Sequence, residues 1–150
     1  MATVERLLLL RHARAGTKIP DPAQDFGRGL DRDGEAIAAR LPVAVVHHLV
    51  PSEILSSPYR RCVDTVRPLA KTLGLTIVED ARLARRCSGP ELRDILQQLL
   101  ANAVICTHGE IIEKVFDDPV SCAKGAFWII ERRTGSRLVP ALYVDAPTGA

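Results

Sequence analysis

The feature that most constrains the fold is the nearly continuous apolar run from Val4 to Leu10, interrupted only by Glu5-Arg6, which stops abruptly at Arg11-His12. Its length suits a strand, and its lack of alternation means that both faces are covered, as in the middle of a parallel sheet. A strand of that kind needs helices above and below it, so the fold class narrows to α/β. The run's uninterrupted apolar part, Leu7 to Leu10, is too short for a signal-peptide core and far too short to span a bilayer. The expectation is a cytoplasmic protein without membrane contact.

The rest of the chain alternates in the way this class requires. Ala15 to Gly29 mixes Gly, Pro, Asp and Lys without a period and reads as a loop. A helix begins near Asp31 or Asp33, either of which can cap it, and Pro42 is expected to end or kink it. Glu53 to Ser57 reads as a short strand. Pro58 is expected in the first turn of the next helix, which carries Cys62, Thr65, Val66, Leu69 and Leu73 and stops at Gly74. Leu75–Val78 and Ala103–Thr107 are further strands, and Gly89–Leu100 is an amphipathic helix. A helix is expected from Glu110 to Phe116, then two closing strands, Ala126–Glu131 and Leu138–Val144, joined by a turn at Thr134-Gly135. The predicted architecture is a mostly parallel central sheet with helices on both faces.

Composition narrows the function classes. A chain of 150 residues with 47% hydrophobic content can bury a real core as one domain, expected to span residues 1–150. Its 20 Lys+Arg against 18 Asp+Glu leave a charge of only +2, which argues against a general nucleic-acid surface. Cys62, Cys87, Cys106 and Cys122 are too widely spaced for a paired metal or redox motif, and are read as buried small hydrophobes. The His47-His48 pair, at a helix end before Pro51, receives no function.

In an open α/β sheet, ligands bind beyond the carboxyl ends of the strands. Those ends carry Arg11-His12, Ser56-Ser57 with Arg61 just beyond, and Thr107-His108-Gly109. Two histidines and two arginines thus converge on one rim from distant stretches of sequence. Phosphoryl transfer asks a protein chiefly for positioning and for compensation of charge on the transferred oxygens, and arginine suits the second task. A neutral imidazole can act as nucleophile and carry the phosphoryl group. Two arginines beside His12 would lower its pKa and keep it a free base, while His108 donates to a phosphoryl oxygen.

Residues 7–13 (LLLLRHA) resemble the "RHG" signature of the histidine phosphatase superfamily in its "RHA" form. Residues 56–65 (SSPYRRCVDT) resemble that family's "SSPxxRAxxT" segment, a register that selects Arg61 rather than Arg60. Residues 104–109 (VICTHG) are similar to the segment bearing the second histidine, and residues 28–34 (RGLDRDG) to the "RPLTxxG" stretch. The resemblance implies a compact phosphoglycerate mutase-like fold without large insertions, in the small phosphohistidine phosphatase (SixA-like) branch. Residues 104–108 with 124–128 (KGAFW) are also similar to the phosphatase domain attached to Nudix domains in some bacterial nucleotide-sanitising proteins. The implied catalytic residues are His12, Arg11, Arg61 and His108. Arg28, Ser57, Lys18, Lys124 and Gly109 are expected to bind substrate, with no metal and no cofactor.

One departure stands out. Many family members carry a glutamate in an "LxE" segment as general acid, whereas here Leu83-Ala84 is followed by Arg85. Glu79, Asp80 and Glu91 are the nearby candidates, and no spacing selects among them. The expected function is a metal-independent phosphatase acting through a phosphohistidine on His12, with protein phosphohistidine as substrate. A nucleoside diphosphate is the alternative substrate. The rival of another class is a non-catalytic phosphate-binding module, favoured by Arg85 and disfavoured by the retained His12, His108 and arginines.

Overall fold

The computed structural model describes residues 4–84, 86–135 and 137–148. Its sheet runs in the order β3-β2-β4-β1-β5-β6, formed by β1 (Glu5–Arg11), β2 (Ile54–Ser56), β3 (Ile77–Glu79), β4 (Val104–Thr107), β5 (Phe127–Arg133) and β6 (Arg137–Val144). β1 to β4 pair in parallel, and β5 and β6 add an antiparallel hairpin at one edge. Leu7, Leu8, Leu9 and Leu10 are fully buried, alternately entering the two cores on opposite faces of the sheet. That double burial is why the run is continuous rather than alternating.

One face is covered by α2 (Arg32–Val46) and α3 (Arg60–Leu73), packed on Leu8, Leu10, Ile54 and Val104. The other is covered by α4 (Gly89–Gln98) and the short α5 (Gly109–Ile112), packed on Leu7, Leu9 and Ile105. Ser88 caps α4 in a reciprocal capping box with Glu91. Gly74 ends α3 in the left-handed conformation, as expected. Phe127 is wholly buried on the sheet, and Trp128 packs against Tyr143 of the edge strand.

Several sequence expectations are corrected. The stretch read as a loop contains a fifth helix, α1 (Pro22–Phe26), started by Asp21, whose side chain accepts from the Ala23 N–H. Asp-Pro is a helix-start signal that the surrounding turn residues obscured. Pro42 neither ends α2 nor defines its boundary: the helix continues to Val46, since Leu41, Pro42 and Val45 are buried on the face that packs against the sheet. One lost backbone hydrogen bond is outweighed by that burial. Pro58 lies before α3 rather than in its first turn, because Tyr59 is the N-cap residue. The third strand starts two positions later than expected, and the helix after His108 stops at Ile112 instead of reaching Phe116.

Candidate active site

Parallel pairing of β1 with β4 matches Arg11 to Thr107. One residue further on, the chain leaves both strands, so His12 and His108 emerge side by side, with ring centroids 5.5 Å apart. The backbone N–H of His12 still bonds the Thr107 carbonyl at 3.2 Å, holding the two exits together. Both imidazoles are buried, to 7% and 1% exposure.

The loop after His12 is pinned from two sides. The Ala13 N–H donates to Thr65 Oγ1 at 2.9 Å, and that hydroxyl donates to the Arg61 carbonyl one turn earlier in α3. Asp31 caps α2 through the Gly34 N–H and also accepts from the Gly16 N–H and the Arg14 guanidinium. Gly34 leaves room for this: a Cβ there would lie 1.9 Å from the Arg14 carbonyl oxygen. Thr65, Asp31 and Gly34 thus act on the site by fixing the position of the His12 loop.

The orientation of His12 follows from its bond to the Ala13 carbonyl, 2.8 Å from Nδ1. A carbonyl only accepts, so Nδ1 carries the proton, and in the neutral ring the lone pair sits on Nε2. Burial, together with the nearby charges of His108, Arg61 and Arg11, takes the His12 pKa from 6.5 to about 3, against the opposing effect of the Ala13 bond. The free-base form expected from the sequence is therefore maintained, with burial rather than the arginines as the main cause.

Arg61 is 6% exposed and lies over the Tyr59 ring, its Cζ 4.8 Å from the centroid. Its Nη1 donates to the backbone carbonyl of Asp25 at 3.1 Å and faces the Asp25 carboxylate at 3.4 Å. The same carboxylate accepts from Arg28 Nε at 2.8 Å and from the Ile19 N–H. Burial raises the Asp25 carboxyl, but the Ile19 bond and the two guanidiniums outweigh it and hold the pKa below the ordinary value. Asp25 thereby fixes both arginines. It was missed in the sequence, where the only signal is its position three residues before Arg28.

Arg11 donates to the Cys122 carbonyl at 2.9 Å and packs against Gly109. A Cβ on Gly109 would stand 2.6 Å from Arg11 Cζ, which explains the glycine after His108 as space for a guanidinium. Among the described residues, Nε of Arg11 and Nε of Arg61 are buried without a hydrogen-bond acceptor. Buried donors on charged groups rarely stay unpaired, because the cost is several kcal/mol at most sites.

Arg11, His12, Lys18, Arg28, Arg61, His108 and Lys124 line one cleft of about 260 Å³ together with Glu110. Larger clefts of about 490 and 730 Å³ lie elsewhere and contain neither histidine. Ser57 stands behind the cleft, its Oγ 2.9 Å from His108 Nε2, with Cys62 Sγ at 3.8 Å from the same nitrogen. Burial raises the Cys62 thiol, but hydrogen bonds from Cys106 and His108 and the charge of Arg61 draw its pKa below the ordinary value. All four cysteines are buried, as expected, and are free thiols. Among the described residues no cluster of three metal-ligating side chains occurs. None of the described helices is long and apolar enough to cross a membrane.

Of the carboxyls considered for an acid, Asp80 is held by Arg82 at 2.7 Å. Glu91 belongs to the capping box and to the 730 Å³ cleft, and Glu79 projects from the edge strand β3. None of them lines the cleft of the histidines. Arg85 falls outside the described residues.

Residues 7–98 match the family model of the histidine phosphatase superfamily (branch 1). The chain belongs to that superfamily. The histidine phosphatase match covers β1 through α4 and thus the segments bearing His12, Arg28 and Arg61. A curated relative, an 8-oxo-(d)GTP phosphatase of Mycolicibacterium smegmatis, is 28% identical over 94% of this chain and 48% of its own length. The chain therefore spans about half of that relative. In fold, it is similar to a protein histidine phosphatase SixA solved with tungstate, at 16% identity and a TM-score of 0.78 over 94% of this chain and 97% of that one. It is likewise similar to a mycobacterial glucosyl-3-phosphoglycerate phosphatase, at 14% identity and a TM-score of 0.77 over 95% and 100%.

Proposed function

We propose that residues 1–150 form one phosphohydrolase domain that transfers a phosphoryl group to Nε2 of His12 and then to water, without a metal. The observation that carries this reading is the His12 ring itself. Its Nδ1–H is committed to the Ala13 carbonyl, and its Nε2 is a free base beside Arg11, Arg61 and His108. Attack by Nε2 forms the N–P bond as the bond to the leaving group breaks. The ring then holds positive charge, which the Ala13 carbonyl stabilises through Nδ1–H. Arg11 and Arg61 compensate the charge on the phosphoryl oxygens, and each has a buried Nε–H with no acceptor among the described residues. Arg28, Lys18 and Lys124 extend the positive field to the mouth of the cleft. A module that merely bound phosphate would not need a histidine kept neutral at the cost of burial.

Phosphohistidine on a protein is the substrate that fits best. None of the three carboxyls near the family's usual acid position, Glu79, Asp80 and Glu91, lines the cleft, so a leaving group that departs without a proton from them is favoured. Phosphohistidine expels an imidazole that can already be protonated, and a phosphoanhydride expels a weakly basic phosphate. A nucleoside diphosphate is the second reading, supported by the named activity of the M. smegmatis relative. The test is kcat/KM for a phosphohistidine peptide, a nucleoside diphosphate and a sugar phosphate at one pH. The sugar phosphate is expected to trail by roughly a hundred- to ten-thousand-fold, the usual worth of general acid help. Equal rates on all three would refute the assignment of substrate class.

A further inference from the structure

Glu110 is a carboxylate that the sequence reading did not consider. It follows His108-Gly109 directly, is exposed, and is the only acidic side chain among the described residues lining the cleft. Among the described residues no hydrogen bond or ion pair holds its carboxylate, in contrast to Asp25, Asp80 and Glu91. A lone acid in a cleft otherwise lined by Arg11, Lys18, Arg28, Arg61 and Lys124 has no evident part in binding an anion. Direct contact between a carboxylate and a phosphoryl group is repulsive, so its presence calls for another use.

We propose that Glu110 is the general base of the second half-reaction, the hydrolysis of the phosphohistidine on His12. The water oxygen bonds to phosphorus as the Nε2–P bond breaks, and the bonding pair returns to Nε2. The water's proton passes to the Glu110 carboxylate and from there to solvent at the open side of the cleft. Inorganic phosphate departs, and His12 is again a neutral ring with its proton on Nδ1. Phosphorylation by an activated substrate involves no such proton, so the two half-reactions depend on Glu110 unequally. This inference rests on the phosphohistidine reading above.

The experiment uses the full chain, a chromogenic aryl phosphate with a good leaving group, and rapid quenching. In Glu110→Gln the burst of released phenol should keep the wild-type phosphorylation rate, with an amplitude that approaches one per chain. Steady-state turnover should fall at least a hundred-fold, and phosphohistidine should accumulate toward one per chain. Glu110→Ala should behave alike, and added formate should restore its turnover by supplying an external carboxylate. Unchanged turnover in both variants overturns the proposal, as does a burst that falls in step with turnover, which marks a binding or structural role. Wild-type protein that forms no phosphohistidine at all would overturn the phosphatase reading itself, a result distinct from failure of the Glu110 assignment.

Discussion

His12→Asn is expected to change how stability depends on pH, and the size of the change follows from the burial of the ring. The folded chain holds His12 at a pKa of about 3, against the ordinary 6.5 of an imidazole in the unfolded chain. Between those values the unfolded state binds a proton that the folded state refuses. Stability contributed at this site is therefore complete above pH 6.5 and is lost as pH falls toward 3. Each pH unit within the window is worth about 1.4 kcal/mol, so wild type should lose about 3 kcal/mol at this site between pH 6.5 and 4. Asparagine does not titrate, and its amide can still donate to the Ala13 carbonyl. Urea unfolding of both proteins at several pH values, followed by the fluorescence of the single tryptophan, Trp128, gives the difference directly. Contributions from Asp25 and other carboxyls cancel in that difference. A difference that stays flat from pH 7.5 to 4 would refute the reasoning, because His12 would then be free to protonate and would not be held as a nucleophile.

Asp25→Asn should destabilise the fold by about 3 kcal/mol, since it leaves two arginines around a neutral group. It should also lower kcat/KM by loosening Arg61; unaltered denaturation and kinetics would remove Asp25 from the site. Gly109→Ala should leave the melting temperature nearly unchanged but displace the Arg11 guanidinium, cutting kcat roughly a hundred-fold, as loss of an oxyanion donor does. A fully active alanine variant would show that Arg11 need not lie where it does. Arg61→Ala should cost about 3–4 kcal/mol in transition-state stabilisation. Arg60→Ala, which removes an exposed pair with Asp64, should alter kcat/KM little. A reversed order would place the wrong arginine in the cleft.

Much of the fold was legible because burial leaves a direct imprint on residue type. Leu7 to Leu10 announced a central strand, and the strand ends located the cleft that brings His12, Arg61 and His108 together. What escaped depends on distant pairing. Asp25 sits on a helix of five residues, too short to show a period, and its importance lies in contacts with Arg61 across the fold. Pro42 looked like a terminus because local propensity favours one, while the buried face of α2 overrides it. Glu110 carries no spacing signal at all, and only the cleft geometry separates it from Glu79, Asp80 and Glu91. The space that Gly109 leaves for the Arg11 guanidinium was likewise not legible, since it depends on how β1 and β4 lie side by side.

The most direct test of the account is to look for the covalent intermediate. Wild-type protein and His12→Ala are mixed with a labelled activated phosphate, quenched in alkali, digested and mapped by mass spectrometry. Wild type should carry an acid-labile, alkali-stable phosphate on His12, and His12→Ala should show neither the adduct nor turnover. Turnover at a near-wild-type rate in His12→Ala, or a phosphate mapped to any other residue, would contradict phosphoryl transfer through His12.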